Sequence, residues 1–490
     1  MADGKKVLML TNSELGQANV FLAVAHELLQ LSAQVQVDIC SFAPLSGQVS
    51  SISQPNILTR GDPRVNFIQL SGPSWKEALF GRPEHQFQEL CDIRPTVWNV
   101  GKAAKLTRIA CPWAPDEACG LVKQLEQIIT DTKPDLIVVD NAFPPAVTIC
   151  YKLKPNWIVL SPNTYKEFAL AKQPNQQYYW KYPPPRSTIP FPVPWYQIPL
   201  VYYMVRKMFL NDSDTWMLQH ASRMKESINT DYADWAYISI VPPEGLKVLL
   251  ATRPEIDFPF DVIPEHMVPC GPILRPVQAV GDADPDLAKW LAQRPTVFVN
   301  LGTHASVTVK KAIQMAKALK RLLERAAKEQ TEMQVLWKLH RRGDYRMSSV
   351  SDALGEKWSG SVRITDWLDV GPTAILESGH IACSVNHGGA NSFFEAVRHV
   401  AGVPQVILPV WGDTYDFAKR VEWLGIGKFG NPRYAPDVDA GELGRNLEKV
   451  ILGPRAQQMR KEAQKLADLC RVDGGGRRVA AKYILQILQL

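Results

Sequence analysis

The sequence predicts an α/β protein of two doubly wound domains, each a parallel sheet with helices on both faces, and three observations carry that prediction. Short β-branched runs alternate with amphipathic stretches from residue 7 to residue 160, the alternation resumes at residue 296, and the segment between is rich in proline and aromatic residues. Alternating strands and helices pair in parallel with right-handed crossovers. The 490 residues leave room for two large units, about 150 residues per domain being only a soft guide.

In the first unit, strands are expected at Val7–Leu10, Val35–Phe42, Asp135–Val139 and Trp157–Leu160, and helices at Asn19–Leu31, Leu121–Thr130 and Ala146–Leu153. From Pro174 to Pro199 the texture turns to Pro, Tyr and Trp. Prolines lack an N–H and fix φ, so an ordered aromatic excursion is expected there, lining an acceptor site or packed on the surface, and no helix or central strand. The Pro-rich stretch Pro242–Pro272 is the expected interdomain linker.

The second unit is expected to run through strand Thr296–Leu301, helix Thr308–Lys328, strands Gln334–Leu339 and Ile381–Val385, helix Asn391–Val400, strand Gln405–Val410, and helix Asp413–Leu424 ended by Gly425. An amphipathic segment, Gly453–Leu490, closes the chain. The domains are drawn at 1–275 and 276–460, with 461–490 a C-terminal helix crossing back to the first.

Composition narrows the class. Apolar residues make up 46% and charged residues 21%, ordinary for a globular chain. The net charge is +6, but the basic residues of Lys310–Lys328 fall at helical spacing and form a solvated face, so no nucleic-acid partner is expected. The eight cysteines contain no Cys-x-x-Cys pair, which argues against a zinc site or disulfide framework and for a reducing, cytoplasmic setting. Met1–Lys6 is polar and leads directly into a strand, and no stretch reaches the about 18 uncharged apolar residues of a membrane span. No stable membrane insertion is expected, and the chain should be a monomer or weak dimer.

In an open parallel sheet, ligands bind beyond the carboxyl ends of the strands. Three such loops in the second unit are polar: Gly302-Thr303, His387-Gly388-Gly389-Ala390-Asn391-Ser392, and Trp411-Gly412-Asp413-Thr414. The glycines Gly388 and Gly389 let backbone N–H groups approach a ligand, and the following helix points its positive end at the same place, which suits a diphosphate. A simple capped turn is the bland alternative. Convergence of the three loops on one edge favours a ligand site.

The runs Val385–Ala396, Gly402–Val406, Pro409–Asp413 and Val297–Thr303, with Trp290-Leu291, closely resemble the donor signature of family 1 UDP-glycosyltransferases, and Asp413–Ala418 is similar to filamentous-fungal members. The resemblance is strong over 285–430 and weak in the first half. It implies a GT-B fold, two facing Rossmann-like domains that hold a UDP-sugar in their cleft. It also implies inverting hexose transfer, of glucose first of all, with no metal or other cofactor, while the Trp/Tyr/Pro-rich stretch Tyr178–Tyr203 favours a small lipophilic or aromatic acceptor. Carried over by motif, Trp367 would stack on uracil with the Leu368 backbone at its edge, and Glu395 would hold the ribose. Thr303, His387, Gly389, Asn391 and Ser392 would hold the phosphates, and Asp413 with Thr414 the sugar. The family's Trp-x-Pro-Gln is here Trp367-Leu368-Asp369-Val370, and its Asp-Gln pair is Asp413-Thr414.

Inverting displacement needs a base for the acceptor proton. The family's is a histidine in Gly-His-x-Asn, but this chain reads Gly16-Gln17-Ala18-Asn19. The orienting aspartate of the family corresponds to Asp140. Three accounts stay open: Glu14 or Asp140 is the base; the acceptor is an acidic phenol or electron-rich carbon that Gln17 only positions; or transfer is lost and the chain merely binds nucleotide sugar. A sterol acceptor is a further alternative. His26, two turns along, reads as structural.

Other features read as bland. Asp282, Asp284 and Asp286 suit helix capping better than metal binding. Asp473–Arg478 and Arg342-Gly343-Asp344 read as surface turns. A nucleotide-dependent oxidoreductase is disfavoured because neither first βα loop carries Gly-x-Gly-x-x-Gly.

Overall fold

The computed structural model describes residues 4–52, 65–210, 215–398 and 401–490. Among the described residues, thirteen strands form two all-parallel sheets. The first comprises β1 (Lys5–Leu10), β2 (Val35–Phe42), β3 (Val65–Leu70), β4 (Leu136–Asp140), β5 (Trp157–Ser161), β6 (Val248–Leu250) and β7 (Met267–Pro269), in the order β3-β2-β1-β4-β5-β6-β7. The second comprises β8 (Thr296–Asn300), β9 (Gln334–Lys338), β10 (Val362–Thr365), β11 (Ile381–Asn386), β12 (Gln405–Ile407) and β13 (Gly427–Phe429), in the order β10-β9-β8-β11-β12-β13.

Each sheet therefore has one point where the strand order reverses: between β1 and β4, with Leu10 beside Val139, and between β8 and β11, with Asn300 beside Asn386. Crossovers leave such a point in opposite directions, which opens a crevice beyond the strand ends. The helices that leave it define the site. These are α1 (Leu15–Leu31) after β1, α2 (Ala390–Val397) after β11 and α3 (Thr414–Trp423) after β12.

The helices follow from their apolar faces. In α1, Ala18 and Val20 through Leu29 are buried, more than one face of a surface helix requires. The C-terminal helix α4 (Gly476–Ile487) supplies the second cover, packing Ala480, Ala481 and Ile484 into the core that holds Val20 and Val24. The same core takes in Phe393, Phe394 and Phe417 from α2 and α3, an apolar seam between the units.

Several expectations are corrected. Pro242–Pro272 is not a linker, because it supplies β6 and β7 to the edge of the first sheet. Its prolines do not prevent this, since short edge strands tolerate missing donors. The aromatic excursion becomes helical earlier than expected: a helix spans Ile198–Leu210, with Pro199 in its first turn, where no intrahelical N–H is needed. The strand expected to reach Val410 ends at Ile407. The helix expected at Asn391–Val400 spans Ala390–Val397, and residues 399–400 lie outside the described residues. Strands β3, β10 and β13 were not anticipated, being short or only half-buried. No helix among the described residues is long and apolar enough to cross a membrane.

Candidate active site

At the second reversal point, two asparagines shape the loops. Asn300 Oδ1 accepts from Gly302 N at 3.0 Å, and Asn386 Oδ1 accepts from Gly388 N at 2.8 Å. Each is an Asx turn, which favours a left-handed residue next, and Gly302 and Gly388 have φ of 85° and 77°. The Asn-x-Gly spacing at both strand ends was the overlooked sequence signal. Side chains are excluded as well. A Cβ on Gly388 would lie 2.7 Å from both Ile407 Cγ2 and Thr414 O, and one on Gly302 would lie 2.8 Å from His387 Cε1.

His387 is clamped between these loops with the Trp411 ring 5.3 Å away. Burial, with the neighbouring His304, holds its imidazole down at about 4, so it is neutral at physiological pH. Its Nδ1 is buried with no hydrogen-bond partner among the described residues. Helix α2 begins beside it with Gly389 as N-cap and no side-chain cap, so the first N–H groups are left for an anion. Asn391 Nδ2 donates across the cleft to Leu15 O at 3.0 Å. Ser392 is half-buried on the same turn. Glu395 sits one turn deeper, where burial pushes its carboxyl up to about 7 despite Thr373, Arg275 and Arg398.

Trp367, after β10, is 61% exposed, with Lys338 Nζ 4.1 Å from its ring centroid. One face is thus occupied and the rest of the indole is open. Leu368 packs partly buried against the core of Leu336 and Val370. Thr303 is exposed at the tip of the β8 loop.

Asp413 lies at the start of α3, and burial followed by the charges of Glu167 and Asp416 raises its carboxyl to about 7. Thr414 is a correction. Its side chain is buried and its hydroxyl closes the preceding turn, accepting from Val410 N and Trp411 N at 3.0 and 3.1 Å and donating to Trp411 O. With its bonding capacity spent, it is not a sugar contact.

At the first reversal point, Asp140 is fully buried at the end of β4. Its Oδ2 accepts from Thr11 Oγ1 at 2.9 Å and Asn12 N at 3.4 Å, and its Oδ1 from Ala142 N at 2.8 Å. Burial still raises the carboxyl to about 6. Placed this way, Asp140 ties the β1 and β4 loops together. Gln17 is half-buried in the first turn of α1, its Oε1 without a hydrogen-bond partner among the described residues. Glu14, the N-cap of α1, reaches the second unit: its Oε2 is 2.8 Å from His304 Nε2. His26 is buried in mid-helix.

The two units are also locked by charge. Arg420 of α3 bonds Asp257 at 2.8 Å and Thr164 at 3.0 Å, while Asp416 pairs with Lys166 at 2.7 Å and Lys419 at 3.1 Å, all almost wholly buried. Arg342, read as part of a surface turn, instead bridges the cleft to Asp92 at 2.6 Å and Gln88 at 3.2 Å. The aromatic excursion enters the same interface, with Arg186 N donating to Gly412 O at 3.2 Å. Asp284 caps the helix Pro285–Leu291, accepting from Leu287 N at 2.9 Å.

Fold and site together define a nucleotide-sugar-dependent transferase of two facing Rossmann-like units. Residues 194–455 match the family described as UDP-glucoronosyl and UDP-glucosyl transferase. The chain is 34% identical to glycosyltransferase sdnJ of Sordaria araneosa, over 96% of this chain and 95% of that one. It is 28% identical to a UDP-glycosyltransferase of Talaromyces amestolkiae over 39% of this chain and 36% of that one. A UDP-glucosyltransferase from Polygonum tinctorium, capable of glucosylating indoxyl and solved with 3,4-dichloroaniline, superposes with a TM-score of 0.63 at 15% identity, covering 100% of both chains. A UDP-glucose:anthocyanidin 3-O-glucosyltransferase in complex with UDP gives 0.61 at 16% identity, also covering 100% of both. The chain belongs to the UDP-glycosyltransferase family and has its GT-B fold.

Proposed function

We propose that this enzyme transfers a hexose, glucose first of all, from a UDP-sugar to a small lipophilic aromatic acceptor, with inversion and without a metal. One observation carries the reading: Gly302, Gly388 and the uncapped start of α2 converge on His387 at the reversal point of the second sheet. Such a cradle meets diphosphate charge with N–H donors and a helix dipole, so the leaving UDP is stabilised without a cation. Trp367 takes the uracil, Glu395 the ribose, Thr303, Asn391 and Ser392 the phosphates, and Asp413 the sugar hydroxyls. Gln17 positions the acceptor. The nucleotide-sugar-binding reading without transfer is favoured by one residue, Gln17 in place of the family's histidine. Incubating the purified chain with UDP-glucose and phenols, polyketides and sterols, with mass detection, decides between them. A conjugate supports the transferase reading; UDP binding with no conjugate on any acceptor supports the other.

A further inference from the structure

Gln17 stands where the family's base histidine would be on the first unit, and the second unit offers a histidine instead. His304 follows Thr303 in the β8 loop, and its Nε2 lies 2.8 Å from Glu14 Oε2 in the β1 loop, so the contact joins the two reversal points directly. Glu14 is well held: its N–H donates to Asn12 Oδ1 at 2.8 Å, and Asn12 is tied through its own N–H to Asp140 Oδ2 at 3.4 Å and through Nδ2 to Ala142 O at 3.3 Å. Next to this contact, Asn391 Nδ2 donates to Leu15 O at 3.0 Å, which puts the start of α2 against the same turn. The His304 ring lies 6.2 Å from Trp75 and 6.1 Å from Phe80, an apolar wall of the kind that holds a flat acceptor. The ring also borders a cavity of about 30 Å³ with Asp92, Lys311 and Arg342.

We propose that Glu14 and His304 are the proton-accepting pair of the transfer, assembled across the cleft from both units; this rests on the transferase reading above. With Nε2 held by Glu14, His304 Nδ1 takes the proton. The acceptor O–H bond breaks, its electron pair forms the bond to the anomeric carbon, the carbon–phosphate oxygen bond breaks, and UDP leaves with that pair. The proton rests on His304 as an imidazolium neutralised by Glu14 and then passes to water. Glu14 is the positioning residue, in the role that a carboxylate plays toward a histidine in hydrolase triads. Asp140 acts one step further back, through Asn12.

The test uses UDP-glucose with a phenol series from 4-nitrophenol, largely ionised in mildly alkaline buffer, to 4-methoxyphenol, which is not. General-base catalysis is worth about 10²–10⁴-fold, so His304→Ala should lower kcat on 4-methoxyphenol by about 100-fold or more while leaving turnover of 4-nitrophenol within about five-fold. Added imidazole should restore part of the loss. Glu14→Gln should lower kcat on 4-methoxyphenol with KM for UDP-glucose unchanged. UDP affinity measured by calorimetry shows that each variant is folded, and His304→Gln provides a second variant of similar bulk. Equal losses on both phenols without imidazole rescue, or full retention on 4-methoxyphenol, overturns the pair while the transferase reading stands. A wild-type chain that binds UDP-glucose but forms no conjugate with any of the phenols, polyketides or sterols overturns both.

Discussion

Replacing Gly388 by alanine tests the phosphate cradle at its tightest point. The added Cβ would lie 2.7 Å from Ile407 Cγ2 and 2.7 Å from Thr414 O, and the second contact is with backbone that cannot rotate away. The residue must also keep φ near 77°, which costs a non-glycine residue about 1–2 kcal/mol. Overpacking of this kind adds about 1–3 kcal/mol, so the loop should shift rather than absorb both. A shift that removes one N–H bond to a charged phosphate forfeits about 1.5–3 kcal/mol, or about 10- to 150-fold in Kd for UDP. The control is Gly412→Ala, in the neighbouring loop, where a Cβ meets nothing within 4 Å. Calorimetry with UDP reads the affinity and thermal unfolding reads the stability. If Gly388→Ala binds UDP within two-fold of wild type while Gly412→Ala does the same, the loop does not cradle the diphosphate.

Other perturbations follow from the same geometry. Trp367→Ala should weaken UDP about 5- to 150-fold, the about 1–3 kcal/mol of one base–aromatic stack, and leave the unfolding temperature unchanged because the ring is 61% exposed. Unchanged affinity would place uracil elsewhere. Asp413 holds its proton more tightly folded than unfolded, at about 7 against an ordinary 3.8. Its contribution to stability is therefore full below about pH 4 and lost as pH rises through 7. Asp413→Asn should flatten that decline in unfolding temperature while lowering transfer, and an unaltered pH profile would refute the assignment. Arg420→Met strands Asp257, which is 2% exposed as a residue, and should cost about 3–5 kcal/mol. The double variant with Asp257→Asn should be less harmful than the sum, and simple additivity in denaturant melts would deny the coupling.

How much was legible varies with the range of the interaction. The strands β1, β2, β4, β5, β8, β9 and β11 show as runs of apolar residues because both faces of a parallel sheet are covered. Strands β6, β7 and β13, of three residues each, are held by neighbours already in place, and so carry little periodic signal. In the strand-end loops of the second unit, Gly302 and Gly388 were readable because backbone conformation there restricts the residue type. Thr414 was misplaced because whether a hydroxyl faces a ligand or its own turn depends on the path of α3 after the chain has packed.

The sequence alone determined the α/β class, the two parallel sheets and the polar loops at the strand ends, since these rest on local periodicity and turn chemistry. Tertiary structure decided which loops face one another. Glu14 and His304 are 290 positions apart and follow no spacing rule, yet their side chains meet at 2.8 Å. The same holds for Arg342 with Asp92 and Arg420 with Asp257. Contacts of this kind arise only when two separately specified sheets are pressed together along a shared apolar seam, and residue order carries no term for that distance.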